Sequence, residues 1–489
     1  MSGKTNSFSE KPEALALAAI ALLAALLFFF RLGDRPFRNP DEGRYADVAR
    51  EMAQSGDWVK PTVFGLGYLR KPPLFYWLTA GSFKLFGESE AAARAVPAFF
   101  GWLGVLAVYF FGRRFWDATA ARTAALLLAT NVWYVQVGRY LVIDAVFSFF
   151  LTASLFLFYA ALRSPARKAV WSCLFCLFLG LAFLAKGPAA PAIAGLSVLV
   201  YLFWTRRWKE IAHPAFFAGV PVFFAVATPW FWAMARREPG FVGFFFWHEH
   251  VQRVMSPNFE HQEPWYYYFV VLPVLFLPWT LVTRPWRYAR KPAPQDKETD
   301  ALKFLSVSVG VVLLFYSLSR SKLPTYLLPC LPLLSLIAGS VWKRWRGMLF
   351  LPWLALLASA SLALPFVMEK VNARYTTKDF AVELRPWLKP EDEVFIFDHP
   401  GPFYDFPFYL KRPVKLVGLV GELEYSRGDV KAREVSVSRE DFYSRLGGPQ
   451  RFYVLMRRSD FSEMDPAYRG KLHVLKEDGR KVLATYVPS

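Results

Sequence analysis

The 489-residue sequence has few cysteines, and they are poorly placed for metal or redox chemistry. The three are Cys173, Cys176 and Cys330, and each lies in an apolar run. Cys173 and Cys176 form a C-x-x-C pair, but no second ligand pair accompanies it, so the pattern does not indicate a zinc site. We interpret all three as buried free thiols.

Acidic residues are scarce relative to basic ones. Lysine and arginine total 58 against 39 aspartates and glutamates, which gives a formal charge of +19. Nucleic acid is not the expected partner, because no soluble basic segment stands apart from the apolar runs. Membrane lipid, and an anionic lipid substrate in particular, fits the basic loops better.

The sequence also lacks an inverted repeat, a repeat of fixed period and a low-complexity tract. Many transporters consist of inverted repeats with polar sites near the bilayer midplane, so a glycolipid transporter without chemistry is a disfavoured alternative. The first apolar run is not followed by a small-residue cleavage pattern. We therefore expect a membrane anchor there and not a removed signal peptide.

Apolar residues, by contrast, are abundant. Hydrophobic residues make up 55% of the chain and aromatic residues 18%, which is typical of an integral membrane protein. We predict an α-helical polytopic membrane protein with about 11 to 13 transmembrane helices, since each span needs roughly 20 mostly apolar residues. The apolar runs lie at about 13–31, 95–112, 118–136, 140–162, 169–186, 188–204, 214–234, 265–283, 302–319, 325–341 and 348–367.

The charged loops predict the orientation. With a cytoplasmic N-terminus, five short basic loops, near residues 113, 165, 207, 287 and 344, all fall on the cytoplasmic side, as the positive-inside rule requires. An odd number of spans then places three segments on the opposite face of the membrane, outside the cytoplasm. These are the juxtamembrane residues within 32–92, the loop 236–264 and the C-terminal tail.

The tail differs in composition from the rest. From Glu369 onward the chain is more polar, and the segments 392–398, 414–420, 451–458 and 481–487 are typical of short strands. The segment 438–448 is typical of a helix. We predict a transmembrane domain over 1–368 and a soluble α/β domain outside the membrane over 369–489.

The first external loop carries an acidic motif, "PDEGRYADVAREMAQSGD". Its apolar residues Tyr45, Val48, Ala49 and Met52 have helical spacing, which predicts an amphipathic helix on the membrane surface. Asp41 and Glu42 begin this helix, and capping or the helix dipole would explain one of the two. The second carboxylate, with Arg44 one turn later, favours a functional site.

Other polar residues are predicted on the same face. Asp144 and Lys186 lie near span ends, where ionisable groups are costly and therefore suspect as functional. Cations can neutralise a phosphate, and carboxylates can act as a base or orient a hydroxyl, as a transferase with a lipid-phosphate-linked sugar donor requires. The remaining candidates are Arg70, Lys71, His248, Glu249, His250, Arg253, His261, Arg320, Lys322 and Tyr326.

Several motifs, in this order, resemble the bacterial GT-C glycosyltransferases of the aminoarabinose transferase and protein mannosyltransferase type. They are "PDEGRYADVAREMAQSGDWVKPTVFGLGYLRKPPLFYWLTA", "AKGPA", "REPGFVGFFFWHEHVQRV", "PWYYYFVVLPVLFLPW" and "SKLPTYLLPCLPLL". The resemblance covers most of the membrane part, to about residue 341. The tail is similar only in position and general character.

The resemblance implies roles for individual residues. Asp41 matches the acidic catalytic residue of the first external loop, Glu42 stands beside it, and Asp144 matches a second acidic position. The positions that match those at the donor phosphate or facing the same cavity are Arg44, Lys71, Arg253, Lys322 and Tyr326. The donor would be a polyprenyl-phosphate-linked sugar, bound with its polyisoprenoid tail in an apolar groove.

One residue departs from the family pattern. The aminoarabinose transferases usually have glutamate before the lysine of the KP motif, where this chain has Arg70. The change removes a carboxylate ligand, so a divalent metal at His250 or His261 is disfavoured and no cofactor is expected to be required. Hydrogen bonding or phosphate contact is the alternative role of these histidines.

These observations predict an inverting glycosyltransferase. It would move a sugar from an undecaprenyl-phosphate-like donor to an envelope acceptor such as lipid A. Protein O-mannosylation, or transfer to another envelope glycan, is the alternative within enzymes.

Overall fold

The computed structural model describes residues 7–252, 262–280, 297–342, 350–419, 423 and 431–488. The chain divides into two compact units. The first, here called the helical unit, comprises Met1–Leu32, Arg70–Phe75 and Arg94–Pro365. The second, here called the mixed unit, comprises Gly33–Leu69, Tyr76–Ala93 and Phe366–Ser489.

Apolar helices make up most of the helical unit, and some of them continue into the mixed unit. The helices are Ser7–Phe29, Glu90–Phe115, Ala118–Ala129, Val132–Gly138, Ile143–Arg163, Lys168–Lys186, Ala189–Trp204, Pro214–Phe217, Val220–Arg237, Gly243–Gln252, Tyr267–Leu275, Lys297–Leu318, Cys330–Trp342 and Phe350–Ala373. Short 3-10 turns cover Pro165–Arg167, Trp208–Ala212 and Pro324–Leu327. Within the described residues, seven helical segments are long and apolar enough to cross a membrane.

Every predicted apolar run contains a helix, although not every run forms one continuous span. The apolar run 118–136 is divided into two helices, because one helix ends at Ala129 and another begins at Val132. Asn131 starts the second helix by accepting a hydrogen bond from the Tyr134 N–H at 2.8 Å. The apolar helices Ala118–Ala129, Ala189–Trp204 and Cys330–Ser340 are shorter than a full span.

A partly buried carboxylate joins three helices of the helical unit. Asp300 accepts hydrogen bonds from the hydroxyls of Tyr159 at 3.0 Å and Tyr201 at 2.8 Å. Arg163 lies 3.5 Å from the same carboxylate. Charged groups in an apolar surrounding are costly unless paired, so this cluster fixes the three helices against one another.

The mixed unit contains a six-stranded sheet of order β5-β4-β3-β6-β8-β7 and a separate hairpin of β1 and β2. Strands β5, β4, β3 and β6 are parallel, and β8 and β7 continue the sheet antiparallel. The strands are β1 Thr62–Val63, β2 Leu66–Gly67, β3 Glu393–Phe397, β4 Lys415–Val417, β5 Ser436–Val437, β6 Phe452–Arg457, β7 His473–Glu477 and β8 Lys481–Tyr486. The helices are Asp41–Ser55, Leu74–Phe86, Lys378–Leu384, Phe406–Leu410, Ala432–Val435, Arg439–Arg445, Arg458–Glu463 and Pro466–Arg469, with 3-10 turns at Arg385–Trp387 and Gly401–Phe403.

The four predicted tail strands are confirmed as β3, β4, β6 and β8. Their apolar residues form the sheet core, in which Phe395, Val454 and Val482 are fully buried. The sequence did not predict β5 and β7. Strand β7 lies at the sheet edge with most of its side chains exposed, so it lacks the apolar alternation that marks a half-buried strand.

The first-loop helix, Asp41–Ser55, is confirmed. Its predicted apolar positions are buried, but Asp47 and Arg50 are buried as well. The expected division into an apolar and a solvated face is therefore wrong for the middle of this helix. The helix ends at Gly56, whose φ of 70° allows its N–H to reach the Met52 carbonyl.

Candidate active site

Asp41 and Arg44 form an ion pair at the start of the first-loop helix. The Arg44 Nη2 donates to Asp41 Oδ1 at 2.5 Å. The Asp41 side chain is 55% exposed, whereas that of Arg44 is 9% exposed. The carboxylate is thus accessible to a substrate, while its cationic partner is held in place.

Three tyrosines surround the Arg44 guanidinium. Its central carbon lies 5.3 Å from the ring centroid of Tyr45 and 5.6 Å from those of Tyr68 and Tyr404. Aromatic faces attract a cation without neutralising its charge. Arg44 therefore presents a fixed positive charge beside Asp41.

Glu42 points inward, unlike its neighbour. It is 1% exposed, and its Oε2 accepts a hydrogen bond from the Arg38 N–H at 3.0 Å. This contact closes the turn that leads into the helix. The observed role is structural, and the catalytic role that the sequence suggested for Glu42 stays a prediction.

The helical unit brings Asp144, Lys186 and Tyr326 together. Lys186 Nζ donates to Asp144 Oδ1 at 2.5 Å and lies 4.2 Å from the Tyr326 ring centroid. Asp144 is in the first turn of Ile143–Arg163, and Lys186 is the last residue of Lys168–Lys186. The connection between these two helices is only a few residues long, so the start of the first helix lies beside the end of the second. This arrangement pairs Asp144 with Lys186, which the sequence analysis had identified separately.

Gly187 explains the "AKGPA" motif. Its φ is +80°, which disfavours other residues, and a Cβ there would lie 2.9 Å from His250 Nε2. His250 therefore packs directly against the turn that follows Lys186. Its Nδ1 lies 2.6 Å from the Phe245 carbonyl oxygen.

The charge environment of His250 also identifies a neighbour, Lys71. Burial lowers the pKa of His250, and the positive charge of Lys71 lowers it further. Hydrogen bonds to the carbonyls of Phe245 and Lys186 act in the opposite direction on this pKa. The net effect is a pKa of His250 below the ordinary value, so the neutral imidazole is favoured.

Arg70 is paired with Glu249. The Arg70 Nη1 lies 3.4 Å from Glu249 Oε1, and the Glu249 side chain is only 1% exposed. The pair connects the "RKPP" turn to the helix Gly243–Gln252. A guanidinium thus occupies the position before Lys71, and among the described residues no three potential metal-ligating side chains form a group. The expectation that no metal binds at His250 and His261 stays a prediction, because His261 lies outside the described residues.

Lys322 has two backbone acceptors. Its Nζ donates to the Glu263 carbonyl at 2.9 Å and to the Ser319 carbonyl, and the residue is buried. Burial lowers the pKa of Lys322, and the nearby Glu263 raises it. Lys322 thus ties two segments together through its ammonium group.

The predicted residues fall into two groups. The mixed unit brings together Asp41, Glu42 and Arg44, and the helical unit brings together the residues around Lys186 and those around His250. Arg253 and His261 lie outside the described residues. The sequence did not indicate Tyr404, since nothing in a single sequence links it to Arg44.

The sequence of the chain is similar to known transferases. Residues 17–245 match the model of the family described as dolichyl-phosphate-mannose-protein mannosyltransferase. The undecaprenyl phosphate-α-4-amino-4-deoxy-L-arabinose arabinosyl transferase of Pseudomonas paraeruginosa is 36% identical over 361 residues, which is 71% of this chain and 65% of the relative. The protein of the same name from Yersinia enterocolitica is 35% identical over 66% of this chain and 58% of the relative.

The fold is similar over nearly the whole length. The crystal structure of ArnT from Cupriavidus metallidurans bound to undecaprenyl phosphate superposes with a TM-score of 0.84 and 25% identity, covering 97% of this chain and 98% of that one. In sequence and in fold, the chain is similar to the GT-C glycosyltransferases of the aminoarabinose transferase and protein mannosyltransferase type. The resemblance seen in the motifs is confirmed, and the chain is a multi-pass membrane protein.

The first-loop helix also carries an acidic cluster, in which Asp47 is fully buried and the Glu51 side chain is 16% exposed. Asp47 accepts hydrogen bonds from the Arg50 side chain at 2.8 and 2.6 Å, and Glu51 accepts from the Gly65 N–H at 3.0 Å. Burial raises the pKa of Glu51 to about 7, and the neighbouring Asp47 contributes to the increase. The folded chain therefore binds a proton at Glu51 more tightly than the unfolded chain does.

We predict that Glu51 makes the protein less stable as pH rises. Between pH 4.5 and about 7 the folded state holds more protons than the unfolded state, so the free energy of unfolding falls with increasing pH. The shift corresponds to roughly 3 kcal/mol above pH 7. Glu51→Gln should leave the melting temperature unchanged near pH 4.5 and raise it by several degrees at pH 8, measured by thermal unfolding in lipid nanodiscs.

Glu88→Gln is the matched control. Burial raises the pKa of Glu88, but hydrogen bonds from Lys411 and Gln54 outweigh it and give a net lowering. Glu88→Gln should therefore lower the melting temperature at pH 8. Equal pH dependence in the wild type and Glu51→Gln would contradict the assignment.

Proposed function

We propose that the protein is an inverting glycosyltransferase that moves a sugar from an undecaprenyl-phosphate-linked donor to an envelope acceptor such as lipid A. Its relatives are named as undecaprenyl-phosphate aminoarabinose transferases, and its fold is similar to one with undecaprenyl phosphate bound. The alignment spans 65% of the Pseudomonas relative's length.

The pair of Asp41 and Arg44 carries the proposal. In the reaction, an acceptor oxygen attacks the anomeric carbon, and the bond from that carbon to the phosphate oxygen breaks. The electron pair leaves with undecaprenyl phosphate. A fixed cation stabilises the charge that develops on the phosphate, and Arg44 is held for this task by its aromatic surroundings.

The task of Asp41 depends on the acceptor. A hydroxyl must lose its proton, which the exposed Asp41 carboxylate would accept. A phosphate group, as on lipid A, is already an anion, and Asp41 would then mainly orient it. Both versions need a carboxylate at a defined position.

The family resemblance implies further groups for the donor. We assign Lys71 to the donor phosphate, together with Arg253 and Lys322, as the family resemblance implies. Asp144 is held by Lys186, which suits hydrogen bonding to sugar hydroxyls. Lysine and arginine charges replace a metal ion in this scheme, so the reaction we propose has no cofactor.

We further propose that the protein lies in the bacterial inner membrane with its catalytic residues and the tail on the periplasmic side. The short basic loops between apolar runs support this orientation. Single cysteines introduced at Asp379 and Lys209 test it. In intact cells given an impermeant maleimide after permeabilising the outer membrane, only the first should be labelled.

Protein O-mannosylation is the second candidate, supported by the family model that matches residues 17–245. Mass spectra of lipid A from strains with and without the gene separate the two. A sugar added to lipid A only when the gene is present supports the first proposal. Unmodified lipid A together with a new protein glycan would support the second.

A further inference from the structure

A carboxylate of the tail, Asp405, is fully buried and accepts four hydrogen bonds. One oxygen accepts from the Asn39 amide at 2.5 Å and the Thr377 hydroxyl at 2.7 Å. The other accepts from the Thr376 hydroxyl at 2.6 Å and the Thr377 N–H at 2.9 Å. All four partners donate a hydrogen to Asp405. The side chain at this position must therefore have two oxygens that both accept hydrogen bonds.

Asn39, two residues before Asp41, is locked by this arrangement. Its amide also donates to the Pro402 carbonyl at 2.8 Å, and its own oxygen accepts from the Asp405 N–H at 3.1 Å. The partners are 366 positions apart in the sequence. The tail therefore fixes the chain immediately before the acidic motif.

Gly43 shows how tightly the two segments pack. A Cβ at this position would lie 2.2 Å from Asn39 Oδ1 and 2.6 Å from the Asp405 nitrogen, closer than any real side chain tolerates. Only glycine allows the first turn of the helix to approach the tail so closely. The glycine of the "DEGR" motif is therefore required by the close approach of the backbone at residue 405.

Tyr404 contacts Arg44, the cationic member of the Asp41–Arg44 ion pair. Its ring is one of the three around the Arg44 guanidinium and stacks on Phe64 with a centroid distance of 5.5 Å. Neighbouring residues of the tail therefore support both sides of the acidic motif. Asp405 holds the segment before Asp41, and Tyr404 lies over Arg44.

We propose that Tyr404 and Asp405 are positioning residues for the proposed glycosyl transfer, acting through Arg44 and Asp41. The inference rests on the proposed function and gives the tail a part in the reaction. Displacing a reacting group by about 1 Å is enough to cost about 100-fold in rate. A buried network that fixes the start of the helix would prevent such displacement.

Asp405→Asn tests the role of Asp405. The side-chain NH2 of the new asparagine would face hydrogen-bond donors that now face a carboxylate oxygen. The hydrogen bonds that hold Asn39 would weaken as a result. We expect kcat to fall about 10- to 100-fold, with the KM for the donor changing less than threefold. Asp392→Asn is the matched control, because Asp392 is also buried in the tail but is paired with Arg451.

A double-mutant cycle separates positioning from general stability. If Asp405 acts through Asp41, Asp405→Asn should reduce the residual rate of an Asp41→Asn variant by less than twofold. The control variant Asp392→Asn should keep kcat within twofold of the wild type, even if its melting temperature is lower. An equal loss of rate with and without Asp41, or an unchanged kcat in folded Asp405→Asn, would overturn the proposal.

Tyr404 provides a test that leaves the Asp405 network intact. Tyr404→Leu removes the ring over Arg44 and should lower kcat about 10-fold, whereas Tyr404→Phe keeps the ring and should restore most of it. Equal rates in the leucine and phenylalanine variants would overturn the role of the ring.

Hydrogen exchange tests the positioning role of Asp405 independently of any glycosyltransferase activity. Amides at 39–45 should exchange faster in Asp405→Asn than in Asp392→Asn, whether or not the assay detects transfer. If the wild type transfers no sugar while this difference is seen, the proposed function fails and the anchoring stands. If exchange is unchanged, the positioning inference fails.

Discussion

Asp41→Asn is expected to lower the rate of sugar transfer by about 100- to 10,000-fold when the acceptor is a hydroxyl. Asparagine keeps an oxygen that can accept from Arg44, so the ion-pair geometry is preserved as a hydrogen bond. It cannot take a proton from the acceptor. With a phosphate acceptor the loss should be smaller, because the carboxylate then only orients the attacking group.

Asp379→Asn is the control for this experiment. Asp379 is likewise an exposed acidic residue in the first turn of a helix of the mixed unit. Its substitution should change kcat by less than twofold. Initial rates of product formation for the two variants, at saturating donor, measure the difference. Similar losses in both variants would remove Asp41 from the reaction.

Lys186→Ala is the second substitution with a large expected effect, a loss of about 100-fold in kcat/KM. The ammonium is 2.5 Å from the Asp144 carboxylate and lies over the Tyr326 ring. Removing the Lys186 ammonium leaves the largely buried Asp144 carboxylate without its cationic partner. The Asp144 carboxylate would then reorient or would repel the anionic donor. The donor concentration dependence of the rate measures the effect.

The same helix provides a control at its other end. Lys168 is paired with Glu210 at 2.8 Å, and its side chain is 8% exposed against 13% for Lys186. Lys168→Ala should therefore destabilise the protein about as much and leave kcat/KM nearly unchanged. If both variants lose activity in proportion to their melting temperatures, Lys186 has only a structural role.

The fold was predictable where the surroundings impose a simple pattern. Apolar runs predict helices because backbone groups in a bilayer have to be hydrogen-bonded internally. Strands β3, β4, β6 and β8 were predictable because their side chains fill the sheet core. The break at Asn131 and the edge strand β7 were not, since the first depends on a single polar cap and the second has little apolar surface.

Candidate residues were predictable singly, whereas most of their contacts were not. Asp144 and Lys186 attracted attention because charges near membrane spans are costly, but their pairing follows from helix packing. The contact between Asn39 and Asp405 joins distant segments and leaves no periodic signal in the sequence. The pairing of Arg70 with Glu249 became visible only in the structure.

The proposed reaction breaks the bond between a sugar and a polyprenyl phosphate. The most direct measurement is the release of undecaprenyl phosphate by purified protein in lipid nanodiscs, supplied with undecaprenyl-phosphate-linked aminoarabinose, with and without lipid A. We expect release only when lipid A is present, with the sugar recovered on lipid A in inverted anomeric configuration. Binding of the donor without release, across aminoarabinose and mannose donors and across lipid A and protein acceptors, would contradict the claim and favour a glycolipid transporter.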